Sequence, residues 1–322
     1  RLCSRRNVMT NSPTAIQTFG LSKAFGDVLA LRDLDLEVFR GEVFGFLGPN
    51  GSGKTTTIRL LLDFIRPTSG RAEILGLDTR KHAFELRRQV GNLPGDFLIY
   101  PQLTINAFFR LCSGGRPEGM RRARDLADRF GLDLKRKVGT LSTGNRQKAG
   151  LVQALMHDPE LVILDEPTSG LDPLVNEEFY GLVDEEKGRG KTIFLSSHVL
   201  PEIEQICDRV GIVREGSLIA VEEVEGLKRH KRRRMAITFS GPAEVSVHEW
   251  QKAEGVEVLA RAGNRVELSI PEGSVAGVLN ILAGLPVEDL VFPEASLEKA
   301  FMSLYAGTTE EESHDGFPGE LS

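Results

Sequence analysis

Eight consecutive residues, Gly48-Pro49-Asn50-Gly51-Ser52-Gly53-Lys54-Thr55, carry the most legible chemistry in this 322-residue chain. They satisfy the spacing G-x-x-x-x-G-K-[ST]. Glycines so placed let backbone N–H groups turn inward and nest phosphate oxygens at a helix N-terminus. Lys54 adds a point charge for β- and γ-phosphates, the Thr55 hydroxyl suits Mg²⁺, and Thr56 completes the phosphate-facing set. A second group of residues complements the loop. The apolar run Leu161–Leu164 ends in Asp165 and Glu166. A carboxylate at the end of a strand beside such a loop can hold a magnesium shell, the role assigned to Asp165. Glu166 is placed to orient or deprotonate an attacking water, which a mere nucleotide switch would not need. On residue chemistry alone, this is a nucleoside triphosphate site equipped for hydrolysis.

These groups need elements to position them. Val43–Leu47 reads as a buried strand feeding the loop, and Ile58, Leu61, Leu62 and Ile65 recur at helical spacing until Pro67 closes that helix. Leu34, Leu36 and Val38 alternate as in a half-buried antiparallel strand, and Thr192–Leu195 is another buried strand. From Ala15 to about Gly216 strands and helices alternate, so an α/β domain is expected over 15–226. Within it strands vanish between 96 and 150, where Arg116–Phe130 reads as a helix stopped by Gly131. That stretch is expected to be an inserted helical subdomain.

The basic run Lys228–Arg234 then interrupts the pattern. It reads either as a solvated linker or as a contact for anionic lipid headgroups. Beyond it, over 235–306, the pattern predicts a small accessory α+β domain in the order β-α-β-β-α-β, which is the ferredoxin-like arrangement. Its expected strands are Met235–Phe239, Val256–Leu259, Val266–Ile270 and Val287–Phe292. The expected helices are Val245–Lys252, Val275–Leu282 and a last one near Ser296–Leu304, with Trp250 in the core. Residues 1–14 are expected to be disordered or upstream sequence, and 307–322 an acidic disordered tail.

Composition excludes several classes. Net charge is −6, from 40 Lys+Arg and 46 Asp+Glu, so no nucleic-acid partner is indicated. No apolar run approaches the roughly 18–20 residues that cross a bilayer. The three cysteines, Cys3, Cys112 and Cys207, are widely spaced without a CxxC pair, as suits reduced cytosolic thiols. The N-terminal residues lack the apolar stretch of a secretory signal.

Further motifs give the chain a family resemblance. Leu141-Ser142-Thr143-Gly144-Asn145-Arg146-Gln147 resembles the signature motif of ATP-binding cassette (ABC) ATPases. Pro167-Thr168-Ser169-Gly170-Leu171-Asp172 is similar to that family's D-loop. His198 sits where the family keeps its switch histidine, and Phe25 matches the aromatic that stacks on adenine. The resemblance implies the P-loop NTPase cassette fold, with an antiparallel β subdomain and the helical insertion, and ATP with Mg²⁺ as ligands. It also implies that Ser142 and Gly144 contact the γ-phosphate of ATP held by a facing cassette, so that a homodimer performs turnover. Asp172 would belong to the nucleotide-contacting set. His198 would hold the γ-phosphate beside Glu166 and Lys54.

Two features refine the resemblance. One phosphate loop and one signature, separated by about ninety residues without sustained heptads, fit a transport subunit rather than tandem translation-type or coiled-coil repair members. The chain looks like the multidrug and antibiotic exporter branch (daunorubicin-type), whose subunits drive a separately encoded permease from the cytoplasmic face of the membrane. It departs from the pattern at Gly95, in Asn92-Leu93-Pro94-Gly95-Asp96, where the family usually has glutamine. A nucleotide-sensing regulator with little turnover is the alternative that this departure raises.

Overall fold

The computed structural model describes residues 13–97, 100–229, 232–241, 250 and 253–292. The chain divides into two units that meet at Glu222 and Glu223.

The first unit is built on two sheets. Val43–Leu47 (β4), Leu161–Asp165 (β8) and Thr192–Ser197 (β9) are buried at every position, as strands covered on both faces must be. With Val90–Leu93 (β7), Arg209–Arg214 (β10) and Ser217–Glu223 (β11) they form a sheet in the order β11-β10-β4-β9-β8-β7. Pairing from β10 through to β7 is parallel, in register Gly45↔Leu195 and Asp165↔Ser196. This register brings the ends of β4, β8 and β9 together, where the glycine-rich loop begins and Asp165, Glu166 and His198 lie. Phe44 and Phe194 stack across β4 and β9, with ring centres 5.9 Å apart and planes at 4°.

The second sheet pairs Thr14–Phe25 (β1) with Val28–Leu34 (β2), Glu37–Phe39 (β3) and Ser69–Ile74 (β5), and Leu77–Asp78 (β6) extends it. It pairs antiparallel throughout. The single strand expected across Leu34–Val38 is in fact two. Asp33 adopts a left-handed φ of 42°, and the chain breaks between β2 and β3 while Leu34, Leu36 and Val38 all stay buried.

The helix after the phosphate loop, Lys54–Leu61 (α1), is shorter than its apolar pattern predicts. Asp63 turns left-handed at φ 56°, so Leu62 and Ile65 pack on the core from a turn. After the four-residue Ala83–Leu86 (α2) and β7, the expected insertion contains Ile105–Cys112 (α3), Pro117–Arg129 (α4) and Thr143–Leu155 (α5). The Thr104 and Ser142 side chains cap α3 and α5 by accepting the N–H of Ala107 and Asn145. Pro173–Gly188 (α6) and Leu200–Ile206 (α7) complete the unit's described helices.

In the second unit, Val224–Arg229 (α8) and Arg232–Phe239 (β12) occupy most of the basic run. That run is therefore not a linker along its length, because Arg232–Arg234 pair in register with Pro271–Ser269. Glu257–Ala262 (β13), Arg265–Pro271 (β14), Val275–Leu282 (α9) and Val287–Val291 (β15) follow. The antiparallel order β13-β14-β12-β15 is that of a split β-α-β sheet. Trp250 is 1% exposed within this unit's core. The rest of the expected helix Val245–Lys252, the helix near Ser296–Leu304 and both termini lie outside the described residues.

Candidate functional site

The loop between β4 and α1 leads at once into the site. Gly51 and Gly53 have φ of 82° and 105°, which side-chain-bearing residues rarely adopt. Gly48 admits nothing larger, since a Cβ there would lie 2.3 Å from the Val213 carbonyl oxygen. Gly48 N–H donates to the Ser197 carbonyl, tying the loop to the end of β9. Pro49 and Asn50 are exposed and Thr55 and Thr56 half-buried, whereas the Ser52 hydroxyl is buried without a hydrogen-bond partner. An orphaned buried hydroxyl inside an anion nest is what a phosphate oxygen would satisfy.

Lys54 Nζ, 6% exposed, donates to the carbonyls of Gly48 at 2.7 Å and Pro49 at 3.2 Å. It also pairs with Glu166 Oε1 at 3.2 Å. The other carboxylate oxygen, Glu166 Oε2, meets His198 Nδ1 at 2.7 Å. Thus Lys54 at the start of α1 and His198 after β9 share the carboxylate of Glu166 after β8. Asp165 is 1% exposed, and its Oδ1 accepts the Ser196 hydroxyl at 2.6 Å.

The remaining candidates occupy three other places. Phe25 ends β1 at the hairpin to β2, is 51% exposed and carries Lys23 Nζ 4.9 Å above its ring. That hairpin is held to the phosphate loop: a Cβ on Gly53 would meet the Ala30 carbonyl at 2.8 Å, and Gly216 links Arg32 to Ser52. Ser142 and Gly144 lie at the start of α5, with Ser142 exposed. Asp172 caps α6 by accepting the Val175 N–H at 3.1 Å, a structural task that accounts for its position without nucleotide.

Gly95 faces the Asp165 carboxylate, as a Cβ built on it would stand 3.0 Å from Asp165 Oδ2. The neighbouring Asp96 instead pairs with Arg59 at 3.1 Å. The two described cysteines stand apart from this chemistry: burial pushes the Cys112 thiol up to about 11 and Cys207 well above its ordinary value. Among the described residues no cluster of three or more His, Cys, Asp or Glu offers a separate metal site.

Two residues escaped the motif reading. Ser196, fully buried, donates to Asp165 and accepts the Glu166 N–H at 3.1 Å. Glu202 accepts the hydroxyls of Thr168 at 2.5 Å and Ser197 at 2.8 Å, bracing the segment after β8 against the end of β9. A serine pair closing an otherwise apolar strand was the available signal for the first. Ser196→Ala deletes only the hydroxyl, leaving Asp165 short of a donor and Glu166 N–H with only the Ser196 carbonyl. It is expected to cost about 1–3 kcal/mol of stability and to raise the Mg²⁺ concentration for half-maximal ATPase. A urea titration and a Mg²⁺ titration check the two effects.

A six-stranded core sheet, an antiparallel flank, a helical insertion and a phosphate loop facing an acidic pair define the class of nucleotide-binding cassettes. Comparison with known proteins agrees. The family model described as "ABC transporter" matches residues 31–169. The bacitracin transport ATP-binding protein BcrA of Bacillus licheniformis is 36% identical over 307 residues, covering 92% of this chain and 99% of that protein. The daunorubicin resistance ATP-binding protein DrrA3 of Streptomyces coeruleorubidus is 35% identical over 309 residues, covering 90% and 96%. A solved ATP-binding subunit of an ABC transporter, 31% identical, superimposes with a TM-score of 0.63 over 67% of this chain and 92% of its own. The chain belongs to the ABC transporter ATP-binding family and is the ATP-hydrolysing subunit of such a transporter.

Proposed function

We propose that two copies of this chain, clamped face to face over two ATP molecules, drive a separately encoded integral-membrane permease that exports an antibiotic-like compound. The observation that carries this reading is the division of the site's parts. Lys54, Glu166 and His198 converge on one carboxylate inside the chain, whereas the signature residue Ser142 stands exposed at the start of α5. An exposed helix N-terminus suits a phosphate held by another subunit. The names of the two relatives, one for bacitracin transport and one for daunorubicin resistance, support export and the class of cargo.

In each site the loop amides and Lys54 would hold the β- and γ-phosphates. The buried Asp165 carboxylate and the Thr55 hydroxyl form an oxygen-donor set that fits Mg²⁺. When bound there, Mg²⁺ neutralises charge that develops on the phosphate oxygens. Glu166 would take a proton from the attacking water as its oxygen bonds to the γ-phosphorus. The bond from that phosphorus to the β–γ bridging oxygen breaks, leaving ADP and inorganic phosphate. His198 would fix the Glu166 carboxylate through its 2.7 Å contact and reach the γ-phosphate with the other ring nitrogen.

The permease would dock in a cavity of about 960 Å³ lined by Leu62, Phe64, Asn92, Phe97, Arg121 and Gln153. Phe64 is 55% exposed at its edge. No helix among the described residues is long and apolar enough to cross a membrane, so this chain's membrane attachment would come through that partner. Purification of the tagged chain from membranes tests the reading. Recovery of a permease whose substrates stimulate ATPase activity is expected, and a chain that hydrolyses ATP but brings down no membrane protein would overturn it.

A further inference from the structure

The helix expected to reach into the partner's site is also bonded, within its own chain, to the residue expected to activate water. Gln147 lies about one turn inside α5 and is buried. Its Nε2 donates to the carbonyls of Glu166 at 3.0 Å and Pro167 at 3.1 Å, using both of its N–H bonds. The start of the same helix is seated on the D-loop, since a Cβ on Gly144 would lie 2.7 Å from the Gly170 carbonyl oxygen.

Glu166 needs such support. Its φ is 50°, a left-handed conformation that strains a non-glycine residue and persists only where neighbours over-determine it. Its N–H donates to the Ser196 carbonyl at 3.2 Å and hydroxyl at 3.1 Å. Its carbonyl accepts the Ser169 N–H at 3.1 Å and the Gln147 amide. Ser196 belongs to the core sheet and Ser169 to the loop itself. Among these partners Gln147 alone comes from the helical insertion.

We propose that Gln147 is a positioning residue that makes α5 and the Glu166 loop one body. Engagement of Ser142 and Gly144 on the partner's γ-phosphate then sets Glu166 in this chain's own site, so neither site fires until the other is filled. This rests on the paired-cassette reading above. The chemistry of the side chain is specific: methionine matches its length without donors, and asparagine keeps the donors but falls one methylene short.

The test uses the full chain with Gln147→Met and Gln147→Asn. Steady-state ATPase is titrated with ATP, and a fluorescent ATP analogue is titrated onto dilute protein. The parent is expected to show a Hill coefficient near 2, for about two coupled sites. Both variants are expected to bind the analogue within about twofold of the parent while turnover falls about tenfold or more. Their Hill coefficient should drop towards 1, the uncoupled limit of about one site. A variant that keeps the parental Hill coefficient would overturn the proposal, whatever its thermal midpoint, because a merely structural role predicts that result. If Gln147→Met does not fold, Gln147→Asn carries the same comparison. Failure of the underlying reading looks different: no ATP-dependent dimer would form even in the Glu166→Gln chain.

Discussion

Glu166→Gln is expected to bind ATP as the parent does while turnover falls by about 10²–10⁴-fold, the contribution of a positioned general base. The replacement keeps the length of the side chain and a hydrogen-bond acceptor for Lys54 and His198. It removes the charge that Lys54 meets at 3.2 Å and the basic oxygen that His198 orients at 2.7 Å. Binding survives because the loop amides and Lys54 hold the phosphates without help from this carboxylate. With hydrolysis blocked, ATP should keep two cassettes joined, so size-exclusion chromatography with ATP and Mg²⁺ is expected to show a dimer that ADP does not sustain. Parental turnover in this variant would remove Glu166 from the role of base.

Gly91→Ala is expected to destabilise the first unit by about 3 kcal/mol, near the upper end of ordinary overpacking. The added Cβ would stand 2.1 Å from the Ala154 carbonyl oxygen and 2.9 Å from a Pro159 ring carbon. Neither neighbour is the free end of a flexible side chain, so α5 must move off β7. In a unit of this size the thermal midpoint should fall by about 6–12 °C. Gly188→Ala is the control: nothing lies within 4 Å of its Cβ at the end of α6, and alanine favours helix. Its midpoint should hold or rise slightly, and differential scanning calorimetry of both variants separates the outcomes.

Much of this site was legible because its parts are local. Gly48–Thr55 carries its chemistry within eight adjacent residues, and Asp165 and Glu166 end a run apolar enough to mark a buried strand. Strands β4, β8 and β9 announced themselves through continuous apolar sequence, as fully covered strands do. The sequence was less clear where tertiary contacts overrode periodicity. The apolar spacing of Ile58 to Ile65 is helical, yet the last part is a turn, because Asp63 takes a left-handed conformation that spacing does not encode. The basic run looked like a break between domains, but pairing with β14 makes Arg232–Arg234 part of a strand. Ser196, Gln147 and Glu202 lie 20–40 positions from some of the groups they hold, and only the register of the sheet and the seating of α5 reveal the contacts. Gly95 was visible as a missing amide, but that its position faces Asp165 is a fact of geometry.

The half-exposed ring of Phe25, which the family resemblance places against the base, has a consequence for selectivity among nucleotides. An aromatic face holds a purine through stacking, and every base presents a π-face, so such a surface reads little of the hydrogen-bonding edge. Lys23 above the ring strengthens the platform without adding a directional acceptor for the adenine amino group. Selection then falls on the triphosphate, and guanine should be tolerated nearly as well as adenine. On that reading the nucleotide that drives the transporter would be set by what the cell keeps in excess, and turnover of GTP against ATP at equal concentration checks it.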